Sequence, residues 1–567
     1  MDFNYRRDAR SVRKSCAQAW TLLIGTLCLA ASLSARAQNR ANVTIDLGRT
    51  INVLTDTSLG VPAAMFDGNS FNPEGIPYLR AAGITSVRYP GNRGIADQYH
   101  WFTKTTTAYR GADAPFVANE SNFASLARFA DNLGQAVIVV NYGSNRDGTG
   151  GGEPAEAAAW VAYANGDDAD TRSLGSDSAG HDWRTVGYWA TLRGQAPLAT
   201  DDGLNFLRLQ HPRPFGFKLW QVGDEVFNNG FYGADHTGDL DLHGPAPESP
   251  KDWSKLKGNA KLSPDSYAEN FKSYRSAMKA VDPSIHIGAA LTTPPDPALR
   301  NKTYWDQNGE HLDVQSWATA NWGAGWNRSV LKNACADLDF VTLEWTLAST
   351  LPPDYKTLNE ADLLSTSKVQ FEIVVNAMLA DYASNCPKGR VLPLVFAPAA
   401  ISAWPKVEHP VVKAIWVADL YATLIESGSL NTGWTEMYGD SMLSADRKSL
   451  GPAFYGFQML HTIAHAPGDL LVDARSSSSM VAVHAARRRD GYIGLMLINK
   501  DPQMAANVKV SLANGVVGAE GRRIDYGSAQ FSAGAKPAVS QFSAPGNEFT
   551  VTVPPYTISD ILLPGPK

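Results

Sequence analysis

Short apolar runs alternate with amphipathic helical patterns through most of this chain, and the rhythm changes near the carboxyl end. Eight runs read as strands: Leu59–Phe66, Ser86–Tyr89, Ala136–Tyr142, Phe217–Gly223, Ile285–Leu291, Leu338–Trp345, Val391–Ala397 and Trp434–Tyr438. Between them, helical periodicity runs over Pro73–Ala82, Phe123–Leu133, Pro154–Asn165, Ser266–Val281, Lys368–Asn385 and Val411–Glu426. The strands are rich in β-branched and aromatic residues and lack a polar face, as strands covered on both sides do. Eight βα repeats predict an α/β fold, a (β/α)8 TIM barrel with insertions, over residues 57–465.

From 466 to 567 the period drops to two. Met480–Ala485, Tyr492–Asn499, Asn507–Ala513 and Glu548–Val553 alternate apolar and polar positions, and Pro554-Pro555 ends the last of these. This predicts a C-terminal antiparallel β-sandwich. Asn42–Asp46 alternates in the same way, so segment 38–56 is expected to join the sandwich as an N-terminal strand.

Residues 1–37 have the layout of an export signal. Arg6, Arg7, Arg10, Arg13 and Lys14 precede the apolar Thr21–Leu33, and Ala35-Arg36-Ala37 offers a small-x-small cleavage site. The expected location is secreted or periplasmic, and no later apolar stretch reaches the ~18 residues a spanning helix needs. Cleavage would remove six of the 50 basic residues and two of the 56 acidic ones, leaving 44 against 54 and a net charge of −10. Such a chain is a poor partner for nucleic acid or an anionic membrane. Two cysteines remain, Cys335 and Cys386, each just ahead of a strand, and in an exported chain the pair favours a disulfide. Free thiols or a metal site fit less well, because no His or Asp cluster accompanies them.

The chemistry concentrates where strands end. Phe217–Val222 leads into Gly223-Asp224-Glu225, two adjacent acids at the carboxyl end of the fourth strand, where closed barrels carry their chemistry. Val87-Arg88-Tyr89-Pro90-Gly91-Asn92 ends the second strand and Val139-Val140-Asn141-Tyr142-Gly143 the third. His211, His409 and His461 show no ligand spacing, and the Asp147–Gly152 loop lacks the Lys and Ser/Thr of a phosphate cradle. No metal and no cofactor is expected.

In this order, with Glu156–Asn165, Trp220–Glu225 and Gly451–Phe457, these motifs resemble the α-L-arabinofuranosidases and related retaining glycosidases of the large (β/α)8 clan. The resemblance covers nearly the whole mature chain. It implies that Glu225 is the general acid/base and that Arg88 and Asn141 line the sugar subsite. A salt bridge inside the barrel mouth is the other reading of Arg88. The residue before the acid/base is usually Asn in that family. Here Asp224 accepts from a hydroxyl but donates only when protonated, and as a neighbouring charge it would push Glu225 upward.

The seventh strand departs from the family. It reads Leu394-Val395-Phe396-Ala397-Pro398-Ala399-Ala400-Ile401-Ser402, with no carboxylate where the family puts its nucleophilic Glu. Retention needs two carboxyl groups roughly 5–5.5 Å apart. Glu344, ending the sixth strand beside Trp345, is the best-placed substitute, ahead of Glu408, Glu436 and Asp440. Balancing a buried base such as Arg88 is its alternative role. Trp345, Trp404 and Trp434 are candidate stacking residues, with a core position the alternative for each. The expectation is therefore a carbohydrate-active protein taking poly- or oligosaccharide. Its rival is a polysaccharide-binding protein that kept the barrel and lost catalysis.

Overall fold

The computed structural model describes residues 39–91, 95–107, 116–228, 241–244, 260–293, 303–305, 311–313, 323–346, 359–400, 407–434, 442–444 and 449–565; the side chains at 39, 95, 228, 303–305, 311–313, 323–324, 344–346, 362, 365–367, 370 and 398–400 are outside this set. The export signal expected at 1–37, Trp404, Glu436 and Asp440 also lie outside the described residues.

An opening strand, β1 (Asn39–Val53), precedes eight short strands: β2 (Leu59–Pro62), β3 (Ser86–Tyr89), β4 (Gln135–Val140), β5 (Leu219–Val222), β6 (His286–Leu291), β7 (Phe340–Thr346), β8 (Leu394–Ala400) and β9 (Asn431–Gly433). These eight pair in parallel and close into a barrel in the order β7-β8-β9-β2-β3-β4-β5-β6. Around it stand α1 (Ile76–Ala81), α2 (Phe123–Leu133), α3 (Pro154–Asn165), α4 (Val186–Gly194), α5 (Pro264–Val281), α6 (Gly323–Ala334), α7 (Glu360–Asn385), α8 (Val412–Glu426) and α9 (Pro452–Ile463). Strand parity separates two cores. Ile138, Trp220, Val341 and Phe396 face the helices, while Val137, Leu219, Phe340, Val395 and Ala397 fill the barrel as a separate cluster. Gly288 of β6 makes room for this filling, since a Cβ there would lie 2.2 Å from the Phe340 ring.

The C-terminal part contributes β10 (Leu470–Ser476), β11 (Val481–Arg487), β12 (Tyr492–Asn499), β13 (Ala506–Ala513), β14 (Glu520–Gly527), β15 (Ala538–Ser543), β16 (Glu548–Val553) and β17 (Thr557–Pro564). With β1 they form one sheet in the order β15-β14-β17-β12-β11-β10-β1-β13-β16. Its pairs are antiparallel except β1 with β13, which runs parallel from Asn39↔Ala506 to Asp46↔Ala513. Ala41, Val43 and Ile45 share a core with Leu495, Val508, Val551 and Ile561. The opposite parity (Met496, Ile498, Ile558) continues the barrel's outer core.

Buried charges tie this sheet to the barrel. His484 of β11 contacts Asp419 at 3.0 Å and Glu426 at 2.8 Å on α8, and Lys500 lies 2.5 Å from Asp419. Burial alone would push His484 down, but the two carboxylates hold it up at about 9. Asp419, which burial would raise, is held well below the usual carboxylate range by Lys500 and His484. Cys335 and Cys386 are bonded, Cα atoms 5.4 Å apart, just ahead of the neighbouring strands β7 and β8. This end of the barrel is opposite the strands' carboxyl termini.

Candidate active site

The carboxyl ends of β3, β4 and β5 build the site. Above the apolar filling, the interior turns polar. Ser86, Arg88, Gln221, Thr342 and Asn431 are all buried, as are Asn141, Asp224 and Glu225 beyond their strand ends. Arg88, the third residue of β3, reaches across the barrel. Its Nη1 donates to the Gly91 carbonyl at 2.8 Å and its Nη2 to Gln221 Oε1 at 3.3 Å. The same Nη2 pairs with the Asp224 carboxylate, the two side chains being 3% and 1% exposed. Of the two readings of Arg88, the salt bridge in the mouth is therefore present, with Asp224 as its partner. The negative charge that Asp224 brings next to Glu225 is balanced inside the mouth.

The turn carrying the two acids is fixed by its backbone. Gly223 has φ +70°, and a Cβ there would sit 2.6 Å from Val226 Cγ1. Asp97, which no sequence pattern had singled out, clamps the turn. Its two carboxylate oxygens accept from the Asp224 N–H and the Tyr142 N–H, each at 3.0 Å. Burial pushes the Asp97 carboxyl well above the usual carboxylate range, against the hydrogen bond from Asp224 N–H. Asn141 sits at the mouth with Nδ2 3.4 Å from both the Tyr99 carbonyl and Ser144 Oγ, while its Oδ1 accepts from Ser144 N–H at 3.1 Å. Among the described residues, none hydrogen-bonds Arg88 Nε, Asp224 Oδ2 or Thr342 Oγ1. Buried groups of this kind are normally satisfied, and two of the three belong to the Arg88–Asp224 pair.

Glu344 and Trp345 lie by backbone near the end of β7, where the pairing with β8 shifts register between Leu343 and Trp345. Of the other acids, Glu408 is exposed. Trp434 belongs to the core, packed on Trp416, Tyr421 and Phe457 at ring separations of 5.7–6.3 Å. His409 contacts Glu360 at 2.8 Å. Among the described residues, no group of three or more His, Cys, Asp or Glu is placed to hold a metal ion.

No protein-family model matches the chain, and no curated protein does. Solved structures do. An α-L-arabinofuranosidase from Thermotoga maritima in complex with arabinose matches with TM-score 0.61 at 15% identity, over 92% of this chain and 100% of its own. The GH51 arabinofuranosidase of Xanthomonas axonopodis pv. citri gives 0.59 at 16%, over 92% and 99%. A Paenibacillus polymyxa xyloglucanase of glycoside hydrolase family 44 gives 0.56 at 12%, over 93% and 100%. The fold is that of the arabinofuranosidase-like glycoside hydrolases. At these identities the likeness concerns the fold, and it spans barrel and sandwich together.

Proposed function

We propose that this is an exported glycoside hydrolase acting on plant or microbial polysaccharide, with Glu225 as its general acid/base. The observation that carries the reading is the barrel end itself. Glu225, 3% exposed, directly follows the Arg88–Asp224 pair, and among the described residues none hydrogen-bonds Arg88 Nε or Asp224 Oδ2. Glu225 protonates the leaving glycosidic oxygen. Asp224 Oδ2 accepts from a sugar hydroxyl, Arg88 fixes Asp224, and Asn141 borders the same subsite. Glu344 supplies the second carboxylate. Arg88 already has its counter-charge in Asp224, which supports keeping Glu344 for chemistry. A carboxyl separation of roughly 5–5.5 Å would give retention, and roughly 6.5–9.5 Å inversion through water. Export rests on the basic and apolar layout of residues 6–37.

A second reading is favoured by one feature, the run Leu394–Ala400 without a carboxylate. On it, the barrel binds glycan and no longer cleaves it. Reducing-sugar release from arabinan, xylan, β-glucan and cellulose, wild type beside Glu225→Gln, separates the two. Release that collapses in the variant supports the hydrolase. No release from either protein, with polymers still retarding both in affinity gels, supports the binding protein.

A further inference from the structure

A buried polar chain runs from the ring of helices to the barrel mouth. After β3, Tyr99–His100 pairs antiparallel with Thr105–Thr106, and the Thr107 N–H donates to the Gln98 carbonyl at 2.8 Å. This small hairpin packs on α3, where Glu156 and Trp160 stand one turn apart on the same face. Trp160 stacks on Trp101 with ring centroids 5.8 Å apart, and Glu156 meets His100. Both Glu156 oxygens lie 3.1 Å from His100 Nδ1, and the two side chains are 5% and 1% exposed. Ionised, Glu156 only accepts, so Nδ1 carries the proton between them and Nε2 is left to face Thr107.

From there the contacts lead inward. His100 Nε2 is 2.8 Å from Thr107 Oγ1, which is 2.9 Å from Ser144 Oγ. Ser144 meets both ends of the Asn141 amide: its N–H donates to Oδ1 at 3.1 Å, and its Oγ lies 3.4 Å from Nδ2. The Nδ2 contacts, this one and the equal one to the Tyr99 carbonyl, are long for N–H···O bonds. The amide is therefore steered lightly and follows the Ser144 hydroxyl. Ser144 Oγ in turn donates at 3.1 Å to the carbonyl of Asp97, whose carboxylate clamps the turn of Asp224. Anchoring a hairpin to a helix needs no buried polar pair, since apolar side chains of similar volume do it as well. Here the pair feeds a chain of hydroxyls that ends on Asn141, a residue of the mouth.

We propose that His100 and Glu156 are positioning residues that fix the Asn141 amide through Thr107 and Ser144, and so set how tightly the subsite holds its sugar. This rests on the carbohydrate-active reading above.

The test is affinity electrophoresis of the full chain through arabinan, xylan and β-glucan, in the Glu225→Gln protein so that binding is read without cleavage. Thr107→Val keeps the shape and loses the hydroxyl, Thr107→Ser keeps the hydroxyl, and His100→Ala is set beside His100→Gln, whose amide reaches toward the place of Nε2. Melting temperatures show that each variant is folded. Thr107→Val and His100→Ala should each weaken retention about tenfold, with Thr107→Ser and His100→Gln recovering most of it. Combined with Asn141→Ala, Thr107→Val should cost nothing further, because the end of the chain is already gone. Retention unchanged by Thr107→Val and His100→Ala overturns the inference, as does a loss in Thr107→Ser equal to that in Thr107→Val, or a full further loss on top of Asn141→Ala. Neither sugar release by wild type nor retention by any polymer overturns the carbohydrate reading, and the inference with it; retention that ignores Thr107 and His100 overturns the inference alone.

Discussion

Removing Arg88 should expose how much of the mouth depends on one ion pair. Arg88→Ala leaves the Asp224 carboxylate buried without its counter-charge, in a site where both side chains are 3% exposed or less. Two unit charges 4 Å apart attract by about 4 kcal/mol at an effective dielectric constant of 20. Removing one partner of a buried pair typically costs about 3–5 kcal/mol, because the other charge stays desolvated. The substitution also removes the donors to Gly91 and Gln221, so the upper half of that range is expected. At about 2.1 cal/mol/K per residue, a barrel unit of roughly 400 residues shifts about 1.2 °C per kcal/mol. Scanning calorimetry should therefore find Arg88→Ala melting about 5–6 °C below wild type. Arg88→Met combined with Asp224→Leu, which removes both charges and keeps volume, should recover most of that loss. A melt for Arg88→Ala within about 1 °C of wild type would refute the reasoning, as would a double variant whose loss equals the sum of the two single losses.

Other outcomes follow from single features. Cys335→Ser/Cys386→Ser opens a loop with a sequence separation of 51 residues and should cost about 4 kcal/mol, read in the same scan, with turnover at 25 °C unchanged because the bridge lies at the far end of the barrel. His484 is raised from 6.5 to about 9, so its contribution, on the order of 3 kcal/mol, is full below pH 6.5 and fades as pH rises through 9. Melting temperature should fall between pH 6.5 and 9.5 in wild type and stay flatter in His484→Gln. Asp97→Ala leaves the Asp224 and Tyr142 N–H groups buried without an acceptor, at about 1–3 kcal/mol each, and Asp97→Asn, keeping one acceptor, should lose less.

Where one period dominates, the chain was legible. Ser86–Tyr89, Phe123–Leu133, Pro154–Asn165 and Tyr492–Asn499 fall at the residues their patterns indicate. The misplacements have local causes. Leu59–Phe66 is apolar throughout, but the strand stops at Pro62, and Ala63–Met65 go on as an irregular segment bonded to Arg88 and Pro90. The eighth strand of the barrel lies at Asn431–Gly433, just ahead of the expected Trp434–Tyr438, of which 435–438 are outside the described residues. Asn431 turns inward, donating to the Ser86 hydroxyl at 2.7 Å, whereas Trp434 packs among outer aromatics. The edge strand Ala538–Ser543 and its neighbour Glu520–Gly527 carry too few buried positions to stand out.

Helix Val186–Gly194 is short, and its clearest signal is Thr185, whose hydroxyl caps the Tyr188 N–H at 3.1 Å. At the site, strand-end position singles out Asp224 and Glu225, and the family resemblance adds Arg88 and Asn141; all four lie buried at or just beyond the ends of β3, β4 and β5. The partnership of Arg88 with Asp224 spans 136 positions and is visible only once the barrel closes. Asp97 acts through backbone N–H groups, which leave no trace in a side-chain pattern.

The role of Glu225 as proton donor is tested most directly by changing how much the leaving group needs a proton. With Glu225→Gln, hydrolysis of a polysaccharide or a methyl arabinofuranoside should fall by about 10²–10⁴. A 2,4-dinitrophenyl arabinofuranoside, whose leaving group departs unprotonated, should keep its bond-cleavage step largely intact. Equal loss on both substrates, or loss on neither, would contradict the assignment.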